Sequence, residues 1–94
     1  MENVVNLNFD KTLSNLAGFD FGVKTFKEQM EGKLDITKEF KVKFPPNIKG
    51  AASSFVQGLF AEIINSIGVN KTKEYLQVIS ENKGFDAIII SKLT

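Results

Sequence analysis

The chain contains no cysteine, no histidine and no arginine, and these absences exclude several kinds of chemistry. Without cysteine and histidine there can be no disulfide, no thiolate nucleophile, no Cys/His zinc site and no imidazole general base. The carboxylates near the predicted core elements, Glu62, Glu74 and Asp86, do not have the spacing of a catalytic dyad, so we expect no catalytic residue, no metal ligand and no cofactor. The twelve cationic side chains are all lysines, and acidic residues are interleaved with them. Nucleic-acid binding usually needs a clustered basic face, often with arginine, so we expect no nucleic-acid partner.

Long apolar runs are also missing. No stretch approaches the roughly 20 residues of a membrane span. The first residues, MENVVNLNF, lack the basic region and apolar run of a signal peptide. We therefore expect a cytoplasmic protein that does not contact a membrane. The length of 94 residues, with 43% hydrophobic and 24% charged side chains, is typical of one globular domain, which we predict to cover residues 1–94.

Three segments have the alternating pattern of half-buried strands. In the first, Val5, Leu7 and Phe9 share one face. In Glu39–Phe44 the alternation buries the apolar side chains and exposes the lysines, and the two prolines that follow end the strand. Glu74–Ser80 is the third predicted strand.

The apolar spacing predicts two helices. One runs from Asp20, as its N-cap, and carries an apolar stripe formed by Val23, Phe26, Met30 and Leu34. The second has the strongest pattern in the chain, and Gly68 ends it. Its stripe comprises Phe55, Val56, Leu59, Phe60, Ile63, Ile64 and Ile67. We predict that this second helix forms the core.

The remaining segments are expected to connect these elements. Residues 10–18 are interpreted as a loop or a short helical turn, 47–52 as a loop and 69–73 as a polar turn. The segment 85–93 fits either a helix or a strand, because its helical spacing coincides with a β-branched run. With a helix there, the order is β-α-β-α-β-α. This order predicts a small α/β domain with a mostly parallel sheet and helices mainly on one face, and it leaves the strand order open.

Two adjacent serines begin the second predicted helix. Ser54 and Gln57 have the spacing of a capping box, in which the Ser54 hydroxyl accepts from the amide of Gln57. Ser53 would then lie just outside the cap with a free hydroxyl. It is either a solvent-exposed turn residue or a point that a partner recognises.

The segment KVKFPPNIKGAASSFVQGLFAEIINSIG combines a strand, a short loop, two serines and an amphipathic helix. This order resembles the central unit of STAS domains. From about Phe19 to Leu93 the chain is similar to a STAS-like family of unknown function. The resemblance implies a non-enzymatic regulatory module of bacterial type that docks a protein partner through the loop before the second helix. The partner it implies is a histidine-kinase-type ATP-binding protein or another regulatory protein. By position, the docking residues are Lys49, Gly50, Ala51, Ala52, Ser53 and Ser54, and Ser53 is the candidate phosphate acceptor.

Two other functions stay open. Amides at the start of the second helix could hold a small anionic ligand or a nucleotide, although the chain has no Gly-x-x-x-x-Gly-Lys-Ser/Thr motif. Alternatively, the domain is a phage or mobile-element protein that captures a host factor on an open sheet face.

Overall fold

A computed structural model of the protein describes residues 2–93, so Met1 and Thr94, the ends of the predicted domain, lie outside the described residues. The chain folds as a mixed α/β domain with parallel sheets, which confirms the predicted fold class. The elements in order are β1 (Val4–Asn6), β2 (Asn15–Leu16), α1 (Phe19–Thr25), a π-helical turn (Phe26–Met30), β3 (Phe40–Lys43), β4 (Gly50–Ala51), α2 (Ser53–Tyr75), β5 (Leu76–Ile79) and α3 (Phe85–Ser91).

The main sheet has three parallel strands in the order β1-β3-β5. This result gives the strand order that the sequence left open. In its register Val42 of β3 lies beside Val5 of β1 on one side and beside Val78 of β5 on the other. Each predicted strand is present but shorter than its pattern. Leu7 and Phe44, which follow β1 and β3, are buried and their amides still donate to the neighbouring strands, whereas Glu74 and Tyr75 belong to the end of α2.

One face of this sheet packs against the hydrophobic core. Val5, Phe40, Val42 and Leu76 are buried there. Lys41 and Lys43 alternate with the buried residues of β3 and are exposed. The alternation therefore has the predicted sense, with the core and its helices on the apolar face.

Helix α2 crosses the core as predicted. Five residues of its stripe are buried, namely Phe55, Val56, Leu59, Phe60 and Ile63, and Ile64 and Ile67 pack against the same cluster. Gly68 interrupts the helix with φ of 86°. The polar turn predicted after it is wrong, because the chain returns to helix as far as Tyr75. The buried Thr72 hydroxyl donates to the Gly68 carbonyl oxygen (2.7 Å) and so satisfies that group at the break.

The first helix begins earlier than predicted. Gly18, with φ of 103°, is its N-cap residue, and Asp20 lies in the first turn without acting as a cap. The buried side of α1 includes Gly22 and Thr25. The predicted stripe describes this helix only in part, because the helical residues end at Met30 and Leu34 lies beyond them.

The carboxyl-terminal segment is the helix α3, so the strand alternative is wrong. Phe85 and Ile89 are buried one turn apart, while Ile88 is 38% exposed. The β-branched run is accommodated because only one side of the helix meets the core.

A second sheet has two strands of two residues each, β2 and β4, paired in parallel. Around it the amide of Lys49 donates to the Ser14 carbonyl (2.7 Å) and the amide of Ala52 to the Leu16 carbonyl (2.7 Å). The segments 10–18 and 47–52 were predicted without strands, and that prediction is wrong at these four residues. A strand of two residues is too short to show the alternation of apolar and polar side chains by which strands are predicted.

Candidate docking site at the helix starts

The small sheet places the starts of α1 and α2 side by side. Leu16 of β2 pairs with Ala51 of β4, and each strand is followed within three residues by the first residue of a helix. The amide of Gly18 donates to the hydroxyl oxygen of Ser54 (3.1 Å). The start of one helix is thus hydrogen-bonded to the first turn of the other.

The two helices then pack at backbone distance. A Cβ atom on Gly58 would overlap the carbonyl oxygen of Phe19, and one on Gly22 would overlap the carbonyl oxygen of Phe55. Such an approach is possible only where both helices carry glycine. The position of the α1 start on α2 is therefore fixed by main-chain contacts.

The capping box predicted for Ser54 is wrong. Helix α2 begins two residues earlier than this cap implies, at Ser53, with Ala52 as an extended N-cap that makes no side-chain cap bond. The Ser54 hydroxyl faces Gly18 and accepts from its amide. Because Ser54 is the second residue of the helix, it does not occupy the N-cap position that the pairing with Gln57 requires.

The six residues of the predicted docking loop differ in accessibility. Lys49, Ser53 and Ser54 are exposed, Gly50 and Ala52 are half-buried, and Ala51 is buried. The Lys92 ammonium donates to the carbonyl oxygen of Ala51 (2.6 Å). Ser53 is the first helical residue and not a residue outside the cap. Of the predicted set, the lysine and the two serines present their side chains to solvent most fully.

The sequence interpretation missed one exposed aromatic residue at this place. Phe19, the first residue of α1, is 48% exposed, more than the other exposed large apolar side chains of residues 2–93, Ile79 and Ile88, at 38% each. Its main chain contacts Gly58, one turn along α2 from Ser54. The available signal was that Phe19 precedes the predicted cap and falls outside the apolar stripe of α1.

We define the helix-start surface as Phe19, Lys49, Ser53 and Ser54. The carboxylate nearest to it along the chain is that of Asp20, which follows Phe19 in the first turn of α1 and is exposed. The first turn of α2 has no acidic residue, and its amides carry the positive end of the helix dipole. The carboxyls with a lowered pKa, Asp10 and Asp35, lie in tight turns, where each accepts hydrogen bonds from a threonine two residues ahead. Their pKa shifts thus arise from turn geometry.

Residues 2–93 contain no group of three or more acidic side chains that could hold a metal ion. Among these residues, too, no helix is both long enough and apolar enough to cross a bilayer.

Comparison of the chain with protein-family models, with curated proteins and with solved structures found no match. The resemblance to STAS-like domains therefore stays a prediction from the sequence. The helix-start surface is defined by the geometry alone.

Proposed function

We propose that the protein is a non-enzymatic interaction module that docks a protein partner on the helix-start surface. The observation that supports this most directly is Phe19, which is 48% exposed and follows Gly18, the residue whose amide is hydrogen-bonded to Ser54. Aromatic residues are enriched at the centres of protein interfaces, where they supply much of the binding energy. The exposed hydroxyls and Lys49 would form the polar rim around this anchor.

Contacts between the two helix starts hold the main chain of this surface in place, which favours recognition. Phe19 follows a residue whose amide is bonded to Ser54, and its main chain lies against Gly58. A partner would then lose little conformational freedom of this surface on binding, so more of the contact energy would appear as affinity.

The partner class comes from the resemblance, which implies an ATP-binding kinase-type protein or another regulatory protein in the cytoplasm. Phosphorylation of Ser53 would regulate the contact. A phosphate would add about −1.5 to −2 charge at the first residue of α2, where the helix dipole favours an anion. The fold would tolerate this phosphate. A partner that buries Phe19, however, would have to remove water from the charged phosphate group. Phosphorylation would therefore weaken docking without unfolding the domain.

Affinity capture from native cells, compared among variants, tests the proposal. Phe19→Ala and Ser53→Asp should each lose a protein that the unchanged chain retains, and neither variant should melt at a markedly lower temperature than the unchanged chain. Ile88→Ala is the matched control, because Ile88 is an exposed apolar residue on another helix. Retention of the same protein by all variants, or its loss with Ile88→Ala alone, would contradict the proposed surface.

A further inference from the structure

The main sheet has a second face that the helices do not cover. We define the outer sheet face by six side chains that alternate with the buried ones: Val4, Asn6, Lys41, Lys43, Gln77 and Ile79. Val4 is half-buried and the other five are exposed. Parallel sheets normally have both faces covered, since their crossover helices pack on them. This sheet is wholly parallel but has its core on one side.

The register arranges these side chains in two rows across the strands. One row is Val4, Lys41 and Gln77, and the other is Asn6, Lys43 and Ile79. Each row has a lysine on the central strand, and the apolar side chains lie at opposite corners. Three exposed glutamates, Glu2, Glu39 and Glu81, each lie two positions along the chain from a residue of these rows, so they flank the face at its edges and leave the two lysines at its centre. The centre of the face is therefore cationic.

We propose that the outer sheet face binds a helix of a partner protein that presents acidic side chains to Lys41 and Lys43 and apolar side chains to Val4 and Ile79. The dimensions agree. Residues two apart on a strand are separated by about 6.6 Å, and residues four apart on a helix by about 6 Å. Three strands span about 10 Å, which is close to the diameter of one helix.

The charge and the composition of the face favour this occupant over a second copy of the chain and over a single-stranded nucleic acid. If a second copy paired face to face, its lysines would meet Lys41 and Lys43, and like charges in contact destabilise an interface. A single-stranded nucleic acid would need aromatic side chains for base stacking, and the six side chains include none. This face lies on the side of the sheet opposite the core, and its use does not depend on the helix-start surface.

The test uses the full chain labelled with ¹⁵N and a synthetic amphipathic helical peptide that carries leucines along one stripe and glutamates beside it. Adding this peptide should shift the amide signals of the two rows, and binding should weaken as salt is raised. A peptide with lysine in place of each glutamate should bind much more weakly.

Lys41→Glu with Lys43→Glu should weaken binding of the acidic peptide by about tenfold or more, because two attractions become repulsions. Lys71→Glu with Lys73→Glu, two exposed lysines of α2, gives the same change in net charge and should leave the affinity within about twofold. Equal binding by both double variants would overturn the proposal. So would shifts confined to α1 and α2, peptide-free dimerisation through this face, no binding, or a stronger response of the same rows to a single-stranded oligonucleotide.

Discussion

Gly22 of α1 lies against the α2 backbone at Gly58, and neither position has room for a methyl group. Gly58→Ala should therefore destabilise the protein, although alanine favours a helix by about 1 kcal/mol over glycine. The new Cβ would overlap the Phe19 carbonyl oxygen, a main-chain atom that cannot rotate away. We expect a net loss of about 1–3 kcal/mol in the free energy of unfolding, measured by urea denaturation.

Asn65→Ala on the exposed side of the same helix is the control for this substitution. It adds helix propensity without a new contact, so it should change the stability by less than about 0.5 kcal/mol. If Gly58→Ala is as stable as Asn65→Ala, the backbone contact between α1 and α2 is not as close as described.

Ser54 tests the hydrogen bond that joins the two helix starts. Ser54→Ala removes the acceptor of the Gly18 amide and should lower the free energy of unfolding by about 0.5–1.5 kcal/mol. Ser53→Ala, at the neighbouring exposed position, should have a smaller effect. Amide hydrogen exchange should be faster at Gly18 in the first variant and unchanged in the second. If both substitutions had equal effects, the cause would be a general preference for serine at the start of the helix and not the hydrogen bond between Gly18 and Ser54.

Patterns with a sustained period predicted the structure best. The stripe of Phe55–Ile67 and the alternation in Phe40–Lys43 gave the core helix and the central strand. The strands β2 and β4 were not predictable in this way, because each has two residues and is held by pairing with a segment 35 positions away.

The candidate site shows the same division. Its location at the start of α2 followed from sequence, but the role of Ser54 did not, since its partner Gly18 belongs to another helix. No pattern in the sequence marked Phe19 as exposed. Its exposure depends on the packing of the α1 start against Gly58 of α2. A local pattern cannot report a contact made by tertiary packing.

The lowered pKa of Asp35 predicts that the free energy of unfolding falls at acid pH. The Thr37 hydroxyl and then the Thr37 amide hold the pKa of this carboxyl below its ordinary value of 3.8. A pKa that is lower in the folded state stabilises the fold above pH 3.8, and this contribution is lost as the pH falls through the folded value. Unfolding should therefore be easier below that pH than near neutrality.

Thr37→Val separates this effect from other acid effects. It removes the hydroxyl donor, the largest cause of the shift, so the pKa of Asp35 should rise towards 3.8 in an NMR titration. Thr12→Val is the matched change at Asp10, where the backbone hydrogen bond is the larger cause, so the pKa should move less. An unchanged Asp35 pKa in Thr37→Val would contradict the turn geometry.

Gly68 gives a stability test inside α2. Its φ of 86° is combined with ψ of 160°, a region that is essentially restricted to glycine. Gly68→Ala should lower the free energy of unfolding by about 1–3 kcal/mol, even though, apart from neighbouring residues of the helix, no atom lies within 4 Å of the new methyl group. A neutral result in urea denaturation would mean that the break between the two helical parts readjusts.

Ser53 links the fold to the proposed regulation, because a negative charge at this residue must be tolerated if phosphorylation is to act on docking alone. The first turn of α2 has no acidic residue and Ser53 is exposed. Ser53→Asp should therefore raise the free energy of unfolding by about 0.3–1 kcal/mol through the helix dipole, and the gain should shrink as salt is added. Ser66→Asp, one turn after Glu62 and close to the break at Gly68, places the same charge near the opposite helix end and should destabilise by a similar amount. If both substitutions shift the urea midpoint in the same direction, the effect is one of net charge, and the start of α2 is not the favourable location for an anion that the proposed switch requires.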